Sequence, residues 1–229
     1  MLASLGPLDG RSFAAVLFDM DGTLIDSTPA VERSWLRWAQ EEGVDPDALA
    51  GNHGVPAIGI VRQLLPPERW ESAHARIEAI ELSDVEGIVI LPGAAEALHA
   101  LAPQEGVAAR CAIATSCTRE LAEARIAATG LDHPDVVVTA DDVTHGKPDP
   151  QPYLLAARHL GVSPGACLVV EDAPQGLRSA RAAGCATLAV TTTTPRELLE
   201  ADPTADAVVD DLAQVRFTVD QQGVRVRAV

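Results

Sequence analysis

The sequence predicts an α/β fold, a doubly wound parallel sheet interrupted by an inserted helical domain. Three observations predict it. Short apolar runs without polar alternation recur along the chain, as expected of strands buried on both faces. Helical segments opened by Pro or Thr and closed by Gly separate most of them, the usual asymmetry of helix ends. One stretch, 28–91, reads as helical almost throughout and holds all three tryptophans.

The elements follow in order. Ala14-Ala15-Val16-Leu17-Phe18 is the first apolar run. Thr28 and Pro29 then read as N-cap and first turn of a helix ended by Gly43, with Val31, Trp35 and Trp38 on one face. Ile58, Val61, Leu64 and Leu65 form a second helical face. Pro66 and Pro67 open a third helix that buries Trp70, Ile77 and Ile80. The strand rhythm resumes at Cys111-Ala112-Ile113-Ala114 and continues with Val136-Val137-Val138, Leu168-Val169-Val170, Thr187-Leu188-Ala189-Val190 and Ala207-Val208-Val209. Helices opened by Thr118, Pro150 and Pro174 stop at Gly130, Gly161 and Gly184. Val215 to Val219, then Gln222-Gly223 and Val224 to Val226, reads as a hairpin. This assigns 1–27 and 92–229 to the α/β domain and 28–91 to the helical one.

Composition narrows the partners. Hydrophobic residues are 47% of 229 but aromatics only 3%, so the core is built from Ala, Val, Leu and Ile. With 33 acidic and 17 basic side chains the net charge is -16, which repels nucleic acid and anionic membrane. No apolar run approaches the roughly 20 residues of a membrane span, and the first eleven residues lack the pattern of a signal peptide. Cys111, Cys117, Cys167 and Cys185 show no CxxC spacing and read as free thiols of a cytoplasmic protein. A monomer or weak dimer is expected.

The chemistry lies at the ends of the strands. Asp19 and Asp21 follow the first, with Gly22 freeing the chain to turn. Thr115 and Ser116 follow the second, Lys147 lies in the loop after the third, and Glu171 and Asp172 end the fourth. Open α/β sheets bind ligands at this edge. Four carboxylates cannot all stay ionised there without a cation. Mg²⁺, a hard ion with oxygen ligands, supplies it, and Lys147 adds a further positive charge suited to a phosphate. One decoy falls away. Gly161-Val162-Ser163-Pro164-Gly165 matches a nucleophile elbow, but follows a helix, and Pro164 has no N–H to offer an oxyanion.

The ordered set Asp19-Met20-Asp21-Gly22-Thr23-Leu24, Thr115-Ser116, Gly146-Lys147-Pro148 and Val169-Val170-Glu171-Asp172-Ala173-Pro174 resembles the haloacid dehalogenase superfamily, along the whole chain. Within it the chain looks like the small sugar and polyol phosphatases. The resemblance implies a Rossmann-like core with a helical cap, and a Mg²⁺-dependent phosphatase acting on a small sugar or polyol phosphate. Asp19 would be the nucleophile that forms an aspartyl-phosphate. Asp21 would protonate the leaving alcohol and later deprotonate water. Asp19, Asp172 and the backbone carbonyl of Asp21 would hold Mg²⁺, with Glu171 as ligand or support. Thr115, Ser116 and Lys147 would bind the phosphoryl group, and His53, beside Gly54 in the cap loop, the rest of the substrate.

The alternative is a phosphosugar mutase. Related mutases carry an arginine three residues after the glycine of that loop and a histidine ten residues after the second Asp. Here Ala57 and Val31 stand in those places, with Arg62 about one turn away as a substitute.

Overall fold

The computed structural model describes residues 5–50, 55–103 and 108–229. In chain order the strands are β1 Ser12–Phe13, β2 Ala15–Phe18, β3 Ile25–Asp26, β4 Val89–Ile90, β5 Cys111–Ala114, β6 Val137–Val138, β7 Cys167–Glu171, β8 Ala186–Val190, β9 Ala207–Val209, β10 Val215–Asp220 and β11 Gly223–Ala228. The helices are α1 Thr28–Glu42, α2 Ala57–Leu64, α3 Trp70–Ser83, α4 Ala94–Leu101, α5 Arg119–Thr129, α6 Gln151–His159, α7 Pro174–Ala182 and α8 Arg196–Ala201. No described helix is long and apolar enough to cross a membrane.

Among the described residues, six strands form a parallel sheet in the order β6-β5-β2-β7-β8-β9. Chain order reverses at β2, so the carboxyl ends of β2, β5 and β7 border a crevice, the position at which open sheets hold ligands. Every residue of β2, β5, β7 and β8 is buried, which is why these strands read as unbroken apolar runs. Alternate residues supply two cores. Val16, Phe18, Ile113 and Val170 pack toward α4, α5 and the C-terminal hairpin, while Leu17, Ala112 and Val169 pack with Tyr153, Ala156 and Ala180 of α6 and α7. Each large side chain so buried contributes about 1.5–3 kcal/mol. β10 and β11 pair as the expected hairpin, extended by β1, and Phe217 meets Phe18 edge-on with ring centroids 6.0 Å apart.

β3 and β4 pair antiparallel, Ile25 with Ile90 and Asp26 with Val89, so the chain leaves for the helical stretch and returns along one short ribbon. Between them α1, α2 and α3 share a separate apolar cluster, with Trp35, Trp38, Val61, Ile77 and Ile80 buried. Trp38 donates its ring N–H to the carbonyl of Ala73 at 2.8 Å, joining α1 to α3.

Two local expectations shift. The N-cap of α1 is Ser27 rather than Thr28, and its hydroxyl does not cap. It donates instead to Asp21 at 2.7 Å, while Asp26 accepts the N–H of Thr28 at 3.0 Å. Ile58, expected on the buried face of α2, lines the crevice, and Ile60 takes the buried place.

Candidate active site

Asp19 is the first residue past β2, and its N–H donates to Val170 of β7 at 3.0 Å, which fixes the backbone beneath the carboxylate. Lys147 reaches in from the loop before α6 and is 7% exposed. Its ammonium donates to Asp19 Oδ1 at 2.5 Å and to Glu171 Oε1 at 2.8 Å. The Tyr153 hydroxyl also donates to Glu171 Oε1, at 3.1 Å, and the N–H groups of Asp172 and Ala173 donate to Oε2 at 2.9 Å each. Both oxygens of Glu171 are therefore engaged. Gly176 of α7 makes room for that carboxylate, since a Cβ there would lie 1.5 Å from Glu171 Oε1. The Thr193 hydroxyl donates to Asp172 Oδ2. Gly22 turns the chain with φ +83° and leaves space for Asp172, whose Oδ2 would lie 2.3 Å from a Cβ at that position.

Asp19, Glu171 and Asp172 bring carboxylate oxygens within 4.8 Å of one another, all buried. Burial, with Glu171 and Asp21 adding to it, pushes Asp19 up to about 7 against the pull of Lys147. Burial and the charges of Glu171 and Asp19 push Asp172 well above the ordinary carboxylate range. Burial opposes the charge of Lys147, but Asp19 and Glu171 outweigh it and hold the ammonium well above its usual value. One ammonium does not balance three carboxylates. One oxygen of Asp19 and one of Asp172 meet no amide, hydroxyl or ammonium donor among the described residues. An anionic, oxygen-only set with open positions fits a hard divalent cation.

Asp21 belongs to a different cluster. Its Oδ1 accepts from Ser27 at 2.7 Å and from Arg125 of α5 at 2.9 Å, and its Oδ2 from the Cys117 thiol at 3.1 Å. Asp21, expected to offer the metal its backbone carbonyl rather than its side chain, does not bring its carboxylate into the group of three. Arg125 also donates to Glu81 of α3 at 3.3 Å. Burial, foremost, raises Glu81 above its usual value, and burial beside Asp21 keeps Cys117 a neutral thiol.

One cavity of about 830 Å³ unites these groups. Asp19, Asp21, Thr115, Ser116, Lys147, Glu171 and Asp172, the residues singled out at the strand ends, all line it. Thr115 is buried and its Oγ1 accepts the N–H of Cys117 at 3.1 Å, whereas Ser116 is exposed. Trp35, Leu36, Val55 and Ile58 face it from the helical side. His53 lies outside the described residues. Arg62 does not reach this cavity. It stacks over Trp70, 5.3 Å from the ring centroid, in an adjoining groove that shares Ile58, His74 and Glu78 with the cavity.

Sequence reasoning missed Tyr153, Thr193, Arg125 and Glu81. The last two carried a readable signal. Arg125 interrupts the apolar face formed by Leu121, Ala122 and Ile126, and Glu81 follows Ile77 and Ile80 on the buried face of α3.

A family model described as haloacid dehalogenase-like hydrolase matches residues 13–184. Hexitol phosphatase A of Escherichia coli (strain K12) is 42% identical over 90% of this chain and 95% of its own length. Glycerol-1-phosphate phosphohydrolase 2 of Saccharomyces cerevisiae is 31% identical over 88% of this chain and 84% of its own. The solved structure of a putative beta-phosphoglucomutase from Thermotoga maritima superposes with a TM-score of 0.64 at 30% identity, covering 88% of this chain and 95% of that one. With that family model spanning most of its length, and with its strand-end carboxylates gathered around one lysine, the chain belongs to the haloacid dehalogenase-like hydrolases.

Proposed function

We propose that the protein is a Mg²⁺-dependent phosphomonoester hydrolase that acts on a small sugar or polyol phosphate through an aspartyl-phosphate. The observation that carries this reading is the open carboxylate oxygen of Asp19, beside Lys147 and Asp172 on one side of the cavity, with Asp21 lining the same cavity. The relatives named for hexitol and glycerol phosphates support the substrate class.

Asp19, Asp172 and the backbone carbonyl of Asp21 would hold Mg²⁺, which when bound supplies positive charge to a phosphoryl oxygen. The chain's own residues do the rest. Lys147 keeps Asp19 oriented and gives its one remaining N–H to the phosphoryl group, joined by the hydroxyls of Thr115 and Ser116. Asp19 attacks phosphorus. Asp21 gives a proton to the departing alkoxide, then takes one from the water that attacks the aspartyl-phosphate and releases inorganic phosphate. Glu171, saturated by four donors, holds Lys147 and the backbone of Asp172 in register. Residues 28–91 form the cap that closes over the cavity, excludes bulk water and leaves no room for a folded phosphoprotein.

The cavity also favours hydrolysis over phosphosugar mutation. A mutase grips a second phosphate with a cation at the distal end. The described helical wall of the cavity bears Glu32, Asp47, Glu78 and Glu81 and no lysine or arginine; its one histidine, His74, lies 3.6 Å from Glu78, and Arg62 stacks on Trp70 outside the cavity. A panel of glycerol, hexitol and hexose phosphates with Mg²⁺, followed by ³¹P NMR, tests the reading. Inorganic phosphate is the expected product. Conversion of a hexose 1-phosphate to its 6-phosphate faster than phosphate release, in the presence of a catalytic hexose bisphosphate, would replace it with the mutase.

A further inference from the structure

We propose that Arg125 is a positioning residue for the carboxylate of Asp21, and that Glu81 of α3 anchors the other end of the same guanidinium. The inference rests on the acid/base role proposed for Asp21. Arg125 is 4% exposed and Glu81 8%. One terminal nitrogen of Arg125 donates to Asp21 Oδ1 at 2.9 Å and to Cys117 Sγ at 3.2 Å, and the other to Glu81 Oε1 at 3.3 Å. Its Nε is buried without a partner among the described residues.

This arrangement is costly as a mere support. A buried donor left unpaired is destabilising, and apolar side chains would fill two facing helix stripes at least as well as a buried ion pair. Arg125 nevertheless interrupts one stripe and Glu81 the other. The guanidinium does what the other partners of Asp21 cannot. Ser27 and Cys117 offer single rotatable hydrogens, whereas a planar guanidinium pinned at Glu81 fixes both the direction and the distance of its bond to Oδ1. It thereby holds Oδ1 on the α5 side of the cavity. Because α3 belongs to the helical stretch and α5 to the sheet domain, the same guanidinium ties the aim of Asp21 to the seat of the cap.

The rival role is a staple: Arg125 only neutralises Glu81 and fastens α3 to α5. Arg125→Met alone would strand a buried Glu81, so the decisive variant is Arg125→Met/Glu81→Met, which removes both charges and keeps bulk. It is assayed with Arg125→Lys, Asp21→Asn and the wild type. The substrates are the fastest polyol phosphate of the panel above and p-nitrophenyl phosphate, whose leaving group needs no proton. The double variant is expected to melt near the wild type and to lose roughly 10²-fold in kcat on the polyol phosphate, the scale of a misplaced catalytic group. Its KM should change little, its single-turnover phosphorylation by the aryl ester should suffer much less, and Arg125→Lys should recover part of the loss. Wild-type kcat in the double variant, or equal losses on both substrates, would establish the staple and overturn the positioning role. If Asp21→Asn separates the two substrates and the double variant does not, the positioning role fails alone. If Asp21→Asn turns over the polyol phosphate as the wild type does, the acid/base reading fails with it.

Discussion

The Asp19–Lys147–Glu171–Asp172 cluster and the Asp21–Arg125–Glu81 cluster line one cavity, yet they differ in what balances them and in what carries them. The first gathers three carboxylates at the ends of β2 and β7, two of them on one ammonium, where the backbone is held by neighbouring strands. The second sets two carboxylates on one guanidinium carried by a helix, across the boundary with the helical stretch. The strand-end cluster carries surplus negative charge on a rigid frame, so it has a use for a divalent cation and a phosphoryl group. The helix-borne cluster is closer to neutral and depends on how α3 sits against α5. In the proposed mechanism the bond-forming Asp19 takes its aim from the strand frame, whereas the proton-transferring Asp21 takes its aim from a guanidinium pinned by α3.

The difference is sharpest at the cations. Among the described residues Lys147 alone forms an ion pair with Asp19 and Glu171; Lys147→Met strips that counter-charge and should destabilise the metal-free protein by about 3–5 kcal/mol. Removing Arg125 together with Glu81 should cost far less, because no charge is stranded except that of Asp21, which Ser27 and Cys117 still hold. Urea denaturation measures both. A Lys147→Met protein as stable as the wild type would erase the contrast.

A smaller effect follows from the raised carboxyls. Asp19, at about 7, and Asp172 bind protons more tightly in the folded protein than in the unfolded chain. The contribution of Asp19 is therefore lost as pH rises from about 4, the unfolded value, through about 7, and that of Asp172 is lost in the same direction. Mg²⁺ should offset that loss, since it binds the deprotonated pair. At 100 times its dissociation constant it adds about 2.7 kcal/mol. The rise in melting temperature on adding a fixed concentration of Mg²⁺ should be larger at pH 8 than at pH 5. An equal rise at both, or none at pH 8, would contradict the assignment of Asp19 and Asp172 to the cation.

The two clusters were unequally legible in the sequence. Asp19, Thr115, Lys147, Glu171 and Asp172 follow apolar runs in chain order, so locating the strands locates the carboxylates. Doubly wound connectivity then brings those strand ends together. Ser27 hid behind its neighbour because a hydroxyl before a helix reads as a cap, and only the approach of Asp21 redirects it. Arg125 and Glu81 lie 44 residues apart on different helices, and nothing local pairs them. Their one signal was a charge placed where helical periodicity calls for an apolar residue. Tyr153 lies in the helix expected between Pro150 and Gly161, but nothing local marks it out; its ring comes to lie 5.0 Å from the Lys147 ammonium and its hydroxyl on Glu171 only in the folded chain.

In the proposed mechanism Asp19 becomes covalently phosphorylated during turnover. A rapid acid quench of the wild-type protein with Mg²⁺ and the preferred substrate, labelled with ³²P, followed by peptide mapping, tests it directly. Transient label is expected on the peptide bearing Asp19, gone when substrate is exhausted, with no label or turnover in Asp19→Asn. Phosphate release at the wild-type rate from Asp19→Asn, or wild-type turnover with no label on that peptide at any quench time, would contradict it.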